Sequence, residues 1–255
     1  LPLAFLLLIP MLTLRENYFP WIELMAEDEV VQSKAAYLNI PFLMARQVGG
    51  ALLLFTMSLI FIYLSMRPDL GSEREADEGG DAGRARWRLR LSQNWLGQER
   101  EEKRSWARLT VLAPALVLVY AVVMSLFAID WAMSLEPHWF STLFPAWFFM
   151  GAFWGGIVAT ALGSVLLKRT EPYADEHIGA QQLHDLGKLS FGFSIFWTYL
   201  FWSQYLVIWY GKLPWEQEWI VHRSGPEWGP LSIAVILLCF VIPFVSLIGA
   251  APKMR

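Results

Sequence analysis

The feature that most constrains this chain is a series of long apolar stretches without any Asp, Glu, Lys or Arg. Five of them, at 48–66, 109–129, 143–167, 189–211 and 230–251, are 19 to 25 residues long, and a shorter one occupies 1–14. A helix needs about 20 apolar residues to cross a hydrocarbon core roughly 30 Å thick. Backbone amides find no water there, so such segments are helical. We predict an all-α, polytopic transmembrane helix bundle with five full spans and one truncated N-terminal span.

The composition argues against a soluble enzyme and against a nucleic-acid-binding protein. Of the 255 residues, 56% are hydrophobic and 17% are charged, whereas soluble domains carry about 25% charged residues. The formal net charge is −3, and a nucleic-acid partner would favour a basic face. The stretch 1–14 lacks the basic leader of a signal peptide. We expect it to be a severed helix end, with the parent chain extending beyond this sequence.

Basic residues predict the orientation, because they favour cytoplasmic connections. Of the 20 Lys and Arg, 15 lie in 67–108, 168–188 and 252–255, and 5 lie in 15–47, 130–142 and 212–229. The second set of segments also holds six Trp residues, as expected for an interfacial aromatic belt. We therefore predict a multi-pass membrane protein, with the 67–108 connection in the cytoplasm and the second set of segments on the outer, periplasmic side; the resemblance described below implies the bacterial inner membrane.

Three regions follow from this pattern. Residues 1–66 hold the end of one transmembrane helix, a periplasmic loop and a second helix, and 67–108 form a hydrophilic cytoplasmic loop. Residues 109–255 hold four transmembrane helices, which form a four-helix bundle if the resemblance described below holds. Within the loop, 71–83 are rich in Gly, Glu and Asp and are expected to be flexible. Basic and aromatic residues follow, and they either rest on anionic headgroups or form a solvated connector that faces partner subunits. They are Arg84, Arg86, Trp87, Arg88, Arg90 and Trp95.

The sequence predicts no redox centre and no metal site in this chain. Its single cysteine, Cys239, lies inside an apolar stretch. That excludes an internal disulfide, a cysteine-ligated iron–sulfur cluster and a covalent haem attachment motif. The four histidines lie at or outside the ends of the apolar stretches, so they are not placed to hold a haem inside the bundle. We expect lipids and proteins as partners, and no catalytic residue.

Small residues recur every four positions in the stretch 143–167. Gly151, Gly155, Ala159 and Gly163 therefore share one helix face. Helices in lipid gain from close van der Waals contact, and small residues allow two backbones to approach. We predict that this face packs against a neighbouring helix.

The connection after 109–129 concentrates titratable groups on the expected outer side. Asp130 ends an apolar helix, where an unpaired carboxylate is poorly solvated, and so it should either pair or bind a proton. Glu136 and His138 follow closely. These residues form either a proton exit or a polar lip for a quinone headgroup, or they serve only as interfacial caps and hydrogen-bonding groups.

Polar side chains also mark the helix predicted for 189–211 and its start. Five of them lie within about 60° on a helical wheel, along one stripe that begins beside His184. They are Asp185, Lys188, Tyr199, Ser203 and Tyr210. Ionisable groups at membrane depth usually face protein or water and mark a pathway. The stripe is therefore a candidate proton pathway, although snorkelling of Lys188 and interfacial placement of the tyrosines would also account for it.

Three of these segments resemble a known family. They are YLNIPF with the following Arg at 37–46, SLEPHWFST at 134–142, and DLGKL, FWTYLFWSQY and IWY within 185–210. Together they resemble the F subunit of alternative complex III, which is a bacterial quinol oxidoreductase. That F subunit is similar to the polysulphide-reductase type of membrane anchor. The resemblance covers most of the chain from residue 37 onward, except 67–105.

The resemblance implies a function and partners. It implies a membrane subunit of a complex that oxidises quinol, such as menaquinol, for a cytochrome c type acceptor, without a redox centre of its own. Its partners would be a sister membrane anchor, an iron–sulfur subunit and a multihaem cytochrome c, which carry the clusters and haem c. The chain would contribute proton conduction and an assembly surface. Direct quinone binding and an inert structural scaffold are the alternatives.

Overall fold

A computed structural model describes residues 9–10, 13–76, 90–91, 93–171 and 177–249. Within these ranges the regular elements are helices and no strand occurs, which confirms the all-α prediction. Three short helices come first: α1 (Arg15–Tyr18), α2 (Trp21–Leu24) and α3 (Glu29–Ser33). The later helices are α4 (Ile40–Ala76), α5 (Gln98–Trp131), α6 (Leu143–Thr170), α7 (Ala180–Gly211), α8 (Pro214–Ser224) and α9 (Gly229–Leu247).

Four helical segments are long and apolar enough to cross a membrane. They are Ile40–Leu70, Gln98–Leu135, Leu143–Thr170 and Gly229–Leu247. They contain three of the five long apolar stretches in full and residues 230–247 of a fourth, so the chain is a helical membrane protein. The stretch 189–211 lies in α7, whose Ser, Thr, Gln, Tyr and Trp residues make it less apolar than the other four. Most of the stretch 1–14 lies outside the described residues.

The helices on either side of the 67–108 connection extend beyond their apolar stretches. Helix α4 continues to Ala76 and α5 begins at Gln98. Helix α4 thus includes 71–76, the first part of the segment expected to be flexible, where Ser, Glu, Arg and Ala continue the helix and three of these are strong helix formers. Residues 77–83 lie outside the described ranges, as do Arg84, Arg86, Trp87 and Arg88 of the predicted headgroup contact.

Contacts divide the chain into two compact units, the first of which comprises Leu1–Arg15 and Asn39–Val123. In this unit α4 and α5 run antiparallel, because Gly50 lies beside Val123 while Arg67 binds Glu101. A Cβ atom on Gly50 would lie 3.0 Å from Cγ1 of Val123, so the missing side chain permits the close approach. Helix α4 is capped by Asn39, whose Oδ1 accepts a hydrogen bond of 2.9 Å from the Phe42 amide.

The second unit comprises Glu16–Leu38 and Met124–Arg255. Helices α6 and α7 pack antiparallel here, since Trp154 contacts Ser190 near one end and the Trp147 ring lies 6.1 Å from the Phe201 ring nearer the other. An aromatic core gathers beside this pair. Trp139 stacks on Trp219 at 4.5 Å with an interplanar angle of 3°. Because Trp219 belongs to α8, this stacking attaches α8 to the connection between α5 and α6.

Helix α9 contains a π-helical turn at Leu237–Val241, two residues before Pro243. Proline has no N–H to donate, and its ring crowds the carbonyl four residues earlier. A wider turn just before a proline relieves this crowding while the helix continues.

Candidate functional site

Asp28 and His138 form a hydrogen-bonded pair in the second unit. The Asp28 carboxylate caps α3, where Oδ1 accepts from the Val30 and Val31 amides at 2.8 and 3.2 Å. Its Oδ2 lies 2.7 Å from Nε2 of His138. The Val31 amide, followed by the His138 hydrogen bond, holds the pKa of Asp28 below its ordinary value. One carboxylate thus joins the start of α3 to the connection that precedes α6.

A lysine makes a second link between the same two segments. Nζ of Lys34 donates to the Pro137 carbonyl at 2.5 Å and lies 5.9 Å from the centre of the Phe140 ring. Burial lowers the pKa of Lys34, and the nearby Asp28 carboxylate opposes that shift. Asp28, Lys34 and His138, with Asp130 and Glu136 of the same connecting segment, are called the outer polar cluster below, after the side that the sequence predicts for them.

The sequence-predicted residues Asp130 and Glu136 occupy contrasting positions in this cluster. The Asp130 side chain is buried at the end of α5. The backbone carbonyl of Asp130 accepts a hydrogen bond of 2.6 Å from the Ser134 hydroxyl. Glu136 is exposed after the 3₁₀ turn Met133–Leu135. Burial lowers the pKa of Arg223, and the negative charge of Glu136 partly opposes that shift.

Sequence reasoning missed two members of the outer polar cluster, Asp28 and Lys34. Asp28 carries a recognisable local signal, because an Asp before Glu-Val-Val-Gln-Ser is a favourable helix cap. Its pairing with His138 spans 110 residues of sequence, and no local pattern indicates it.

A cavity of about 190 Å³ opens beside this cluster. Its walls are largely apolar and include Lys34, Tyr37, Ile129, Met133, Trp139 and Phe140. The indole N–H of Trp139 is buried and has no hydrogen-bond acceptor within the described part of the chain. The apolar walls would suit a small apolar ligand.

Helix α7 presents the predicted polar stripe on its exposed side. Tyr199 and Tyr210 are 61% and 73% exposed, and Ser203 is half-buried. At the start of the stripe, Nζ of Lys188 lies 3.0 Å from Oδ1 of Asp185. Hydrogen bonds from Lys188 and then from Gln181 lower the pKa of Asp185, and the neighbouring His184, half-exposed, adds a smaller effect.

The opposite side of α7 carries a second polar set. Ser190, Ser194 and Gln204 are buried on the face that packs against α6. The indole N–H of Trp154 donates to the Ser190 hydroxyl at 3.3 Å. At about 100° per residue these three lie opposite the exposed stripe. A wheel alone does not tell which side of α7 faces protein.

The stripe of small residues on α6 divides into a packed end and an exposed remainder. A Cβ atom on Gly151 would lie 2.9 Å from Nε1 of Trp197, so Gly151 packs directly against α7. Gly155, Ala159 and Gly163 are exposed, and a Cβ atom at either glycine would meet nothing within 4 Å among the described residues. The predicted close packing therefore occurs within this chain at Gly151.

The fold and these clusters define a helical membrane protein with a charged group of residues at one end of its second unit. Among the residues that the structure describes, no group of three or more His, Cys, Asp or Glu side chains is placed to hold a metal ion. Comparison of the chain with protein-family models finds no match, and comparison with curated proteins finds none either.

The Asp28–His138 pair predicts a pH dependence of stability. Folding lowers the pKa of the Asp28 carboxyl below its value in the unfolded chain, 3.8. Such a carboxyl stabilises the native state at pH values above the unfolded pKa, and this stabilisation is lost as the pH falls through the lower pKa of the folded chain. Wild type should therefore be more stable than Asp28→Asn at neutral pH, and the two should converge below about pH 4. Unfolding in detergent at a series of pH values measures both curves.

Asn is itself a good helix cap, so Asp28→Asn isolates the charge that faces His138. Asp28→Ala removes the cap as well and should remain less stable than wild type at every pH. Parallel curves for wild type and Asp28→Asn from neutral pH down to pH 3 would contradict the assignment.

Proposed function

We propose that this chain is an integral membrane subunit of a quinol-oxidising electron-transport complex of the alternative complex III type. In this proposal it has no redox centre of its own, and it contributes a proton pathway and an assembly surface. The observation that carries the proposal is the two-sided polarity of α7, whose buried polar set faces α6 while its tyrosines and charged pair lie on the exposed side. The resemblance of segments 37–46, 134–142 and 185–210 to the F subunit supports it.

The proposal places α7 across the membrane as a fifth span. Helix α6 is long and apolar enough to span, and α7 lies antiparallel along it from Ser190 at least as far as Phe201. A helix packed along a spanning helix shares its depth. With α5, α6 and α9, α7 would complete a four-helix bundle in the bacterial inner membrane, with 67–108 on the cytoplasmic side.

The exposed stripe of α7 is the basis for a partner. Hydroxyl groups that face hydrocarbon lack hydrogen-bond partners, and burying such a group without one costs about 1–3 kcal/mol in proteins. Tyr199 and Tyr210 would avoid this cost if a neighbouring subunit or ordered water covered them. We therefore place the subunit interface on this side of α7, facing the sister membrane anchor, with the iron–sulfur subunit and multihaem cytochrome c as further partners that carry the redox cofactors.

The same interface would carry protons. Asp185 and Lys188 lie at the expected cytoplasmic end of α7, and Tyr199, Ser203 and Tyr210 follow towards the outer end. Lys188 and Tyr199 are eleven residues apart, about 16 Å along a helix, which is far beyond one hydrogen bond. The pathway therefore requires water or partner side chains between them. Asp130, Glu136 and His138 would release protons on the outer side.

Proton release per quinol oxidised by the purified, reconstituted complex tests this role. Asp185→Asn and Lys188→Ala are each expected to lower the proton yield, because each removes a titratable group at the uptake end. The control is Lys103→Ala, which breaks a comparable exposed pair with Glu99 on the same expected side of the membrane. Unchanged proton yield and turnover in both α7 variants would contradict the proposed proton pathway. If the chain purifies without a haem protein or an iron–sulfur protein, the proposed membership in such a complex is wrong.

The cavity beside the outer polar cluster favours a second candidate, direct quinone binding by this chain. The ring of a quinone would lie against Met133 and Phe140, which line this cavity. The KM for quinol, measured with the same reconstituted complex, separates the two roles. A bulky substitution at Met133 would raise the KM for quinol if the cavity binds the headgroup, whereas the Asp185 and Lys188 variants would leave KM unchanged.

A further inference from the structure

A polar cavity of about 210 Å³ lies in the first unit, where α4 leaves its apolar stretch and α5 approaches its own. Its lining includes Tyr63, Arg67, Asn94, Glu101, Arg104 and Arg108. Arg67 directly follows the stretch 48–66, and Arg108 directly precedes the stretch 109–129. The cavity is therefore at the level of the lipid headgroups, on the side expected to be cytoplasmic.

One of the three arginines is already fully engaged within the protein. Arg67 binds both oxygens of Glu101, at 2.7 and 3.1 Å, and donates to the Gln93 carbonyl at 3.0 Å and to the Tyr63 hydroxyl. These bonds use four of the five guanidinium N–H donors. They also neutralise Glu101, which is the only carboxylate that lines the cavity within the described residues.

The other two arginines supply uncompensated positive charge. Arg104 and Arg108 are one turn apart on α5, and both are exposed. Neither forms an ion pair with an Asp or Glu whose side chain the structure describes. The cavity wall thus carries a net charge of two positive units. Guanidinium groups bind phosphate through paired, charge-assisted hydrogen bonds.

We propose that this cavity binds the phosphate of an anionic phospholipid from the cytoplasmic leaflet. Arg104 and Arg108 bind the phosphodiester, and the Asn94 amide lies within the same wall. Val111, one turn beyond Arg108 and strongly exposed, offers an apolar surface for the acyl chain. Trp106 on the same helix is also strongly exposed, as interfacial tryptophans are. Trp106 lies on the opposite side of α5 from the two arginines, so it marks the interface and is not part of the lipid contact. A free phosphate ion would use the arginines but not Val111.

Lipid retention by the purified full chain tests the proposal. The chain is incorporated into nanodiscs of phosphatidylcholine with or without phosphatidylglycerol, released into detergent, and analysed for bound phospholipid by native mass spectrometry. Wild type should retain phosphatidylglycerol in preference to phosphatidylcholine. Arg104→Gln/Arg108→Gln should lower that retention by at least about tenfold, because two headgroup contacts are lost.

Two variants protect this result from folding artefacts. Arg104→Lys/Arg108→Lys keeps the charge and should retain most of the lipid. Lys103→Gln/Arg169→Gln removes two basic residues that do not line the cavity, and it should behave as wild type. Equal retention by wild type and the Gln double variant would overturn the proposal. So would displacement of the lipid by millimolar inorganic phosphate, since the cavity would then be a site for a soluble anion.

Discussion

Glu101→Gln is expected to lower the free energy of unfolding by about 3 kcal/mol, the lower end of the range for breaking a buried ion pair. Glu101 is 1% exposed and Arg67 only 13% exposed. Gln keeps the size of the side chain but removes the charge, which leaves the Arg67 guanidinium largely buried without its counter-ion. Reversible unfolding of the purified chain in detergent micelles by added SDS measures the loss.

The matched control is Glu99→Gln, two residues away in sequence. Glu99 also pairs with a basic residue at 2.7 Å, but its side chain is 81% exposed and that of Lys103 is 76% exposed. Exposed pairs contribute about 0–1 kcal/mol, so this variant should be nearly neutral. Arg67→Met/Glu101→Met should recover much of the stability lost in Glu101→Gln, because no charge remains buried. Equal losses at positions 99 and 101 would contradict the structural distinction between the two pairs.

Gly151→Ala is expected to destabilise the chain by about 1–3 kcal/mol, as overpacking of a tight contact does. The new methyl group would lie 2.9 Å from Nε1 and 3.2 Å from Cδ1 of Trp197. The rigid indole is also surrounded by other aromatic rings, including that of Trp147 at 5.2 Å. The two helices must therefore separate or the ring must leave its position. Unfolding in detergent micelles measures this loss as well.

Gly155→Ala serves as the control on the same helix. A Cβ atom there meets nothing within 4 Å in the described chain, and Ala is favoured over Gly in a helix interior by up to about 1 kcal/mol. The two substitutions should therefore change stability in opposite directions. Trp197→Phe removes the nitrogen nearest to the new methyl group and should partly rescue Gly151→Ala. A stabilising Gly151→Ala would show that α6 and α7 do not pack as described.

The α7 stripe illustrates how far sequence reasoning reaches. The helical period correctly placed Asp185, Lys188, Tyr199, Ser203 and Tyr210 on one face, because side-chain direction depends only on position along the helix. Which face meets protein depends on the neighbouring helix. In soluble proteins a polar helix face is normally the one exposed to water. In a membrane helix a polar face can contact a neighbouring helix, a partner subunit or bound water, so its polarity does not reveal which of these it meets.

The outer polar cluster shows the same limit at longer range. Sequence reasoning selected Asp130, Glu136 and His138 because they are neighbours in the chain. It did not find Asp28 and Lys34, which reach the same connection from more than 100 residues away. The Arg67–Glu101 pair was missed for a similar reason, since both residues lie in a charged connection where many other pairings are equally compatible with composition.

The amino-acid sequence by itself determined that the chain is helical and enters the membrane, because uncharged stretches of about 20 residues in hydrocarbon have no other way to satisfy their backbone hydrogen bonds. The tertiary structure decided which polar groups are covered, which of the small residues on α6 touches a neighbour, and which charges meet. Those outcomes depend on contacts between residues far apart in sequence, and local pattern does not encode them.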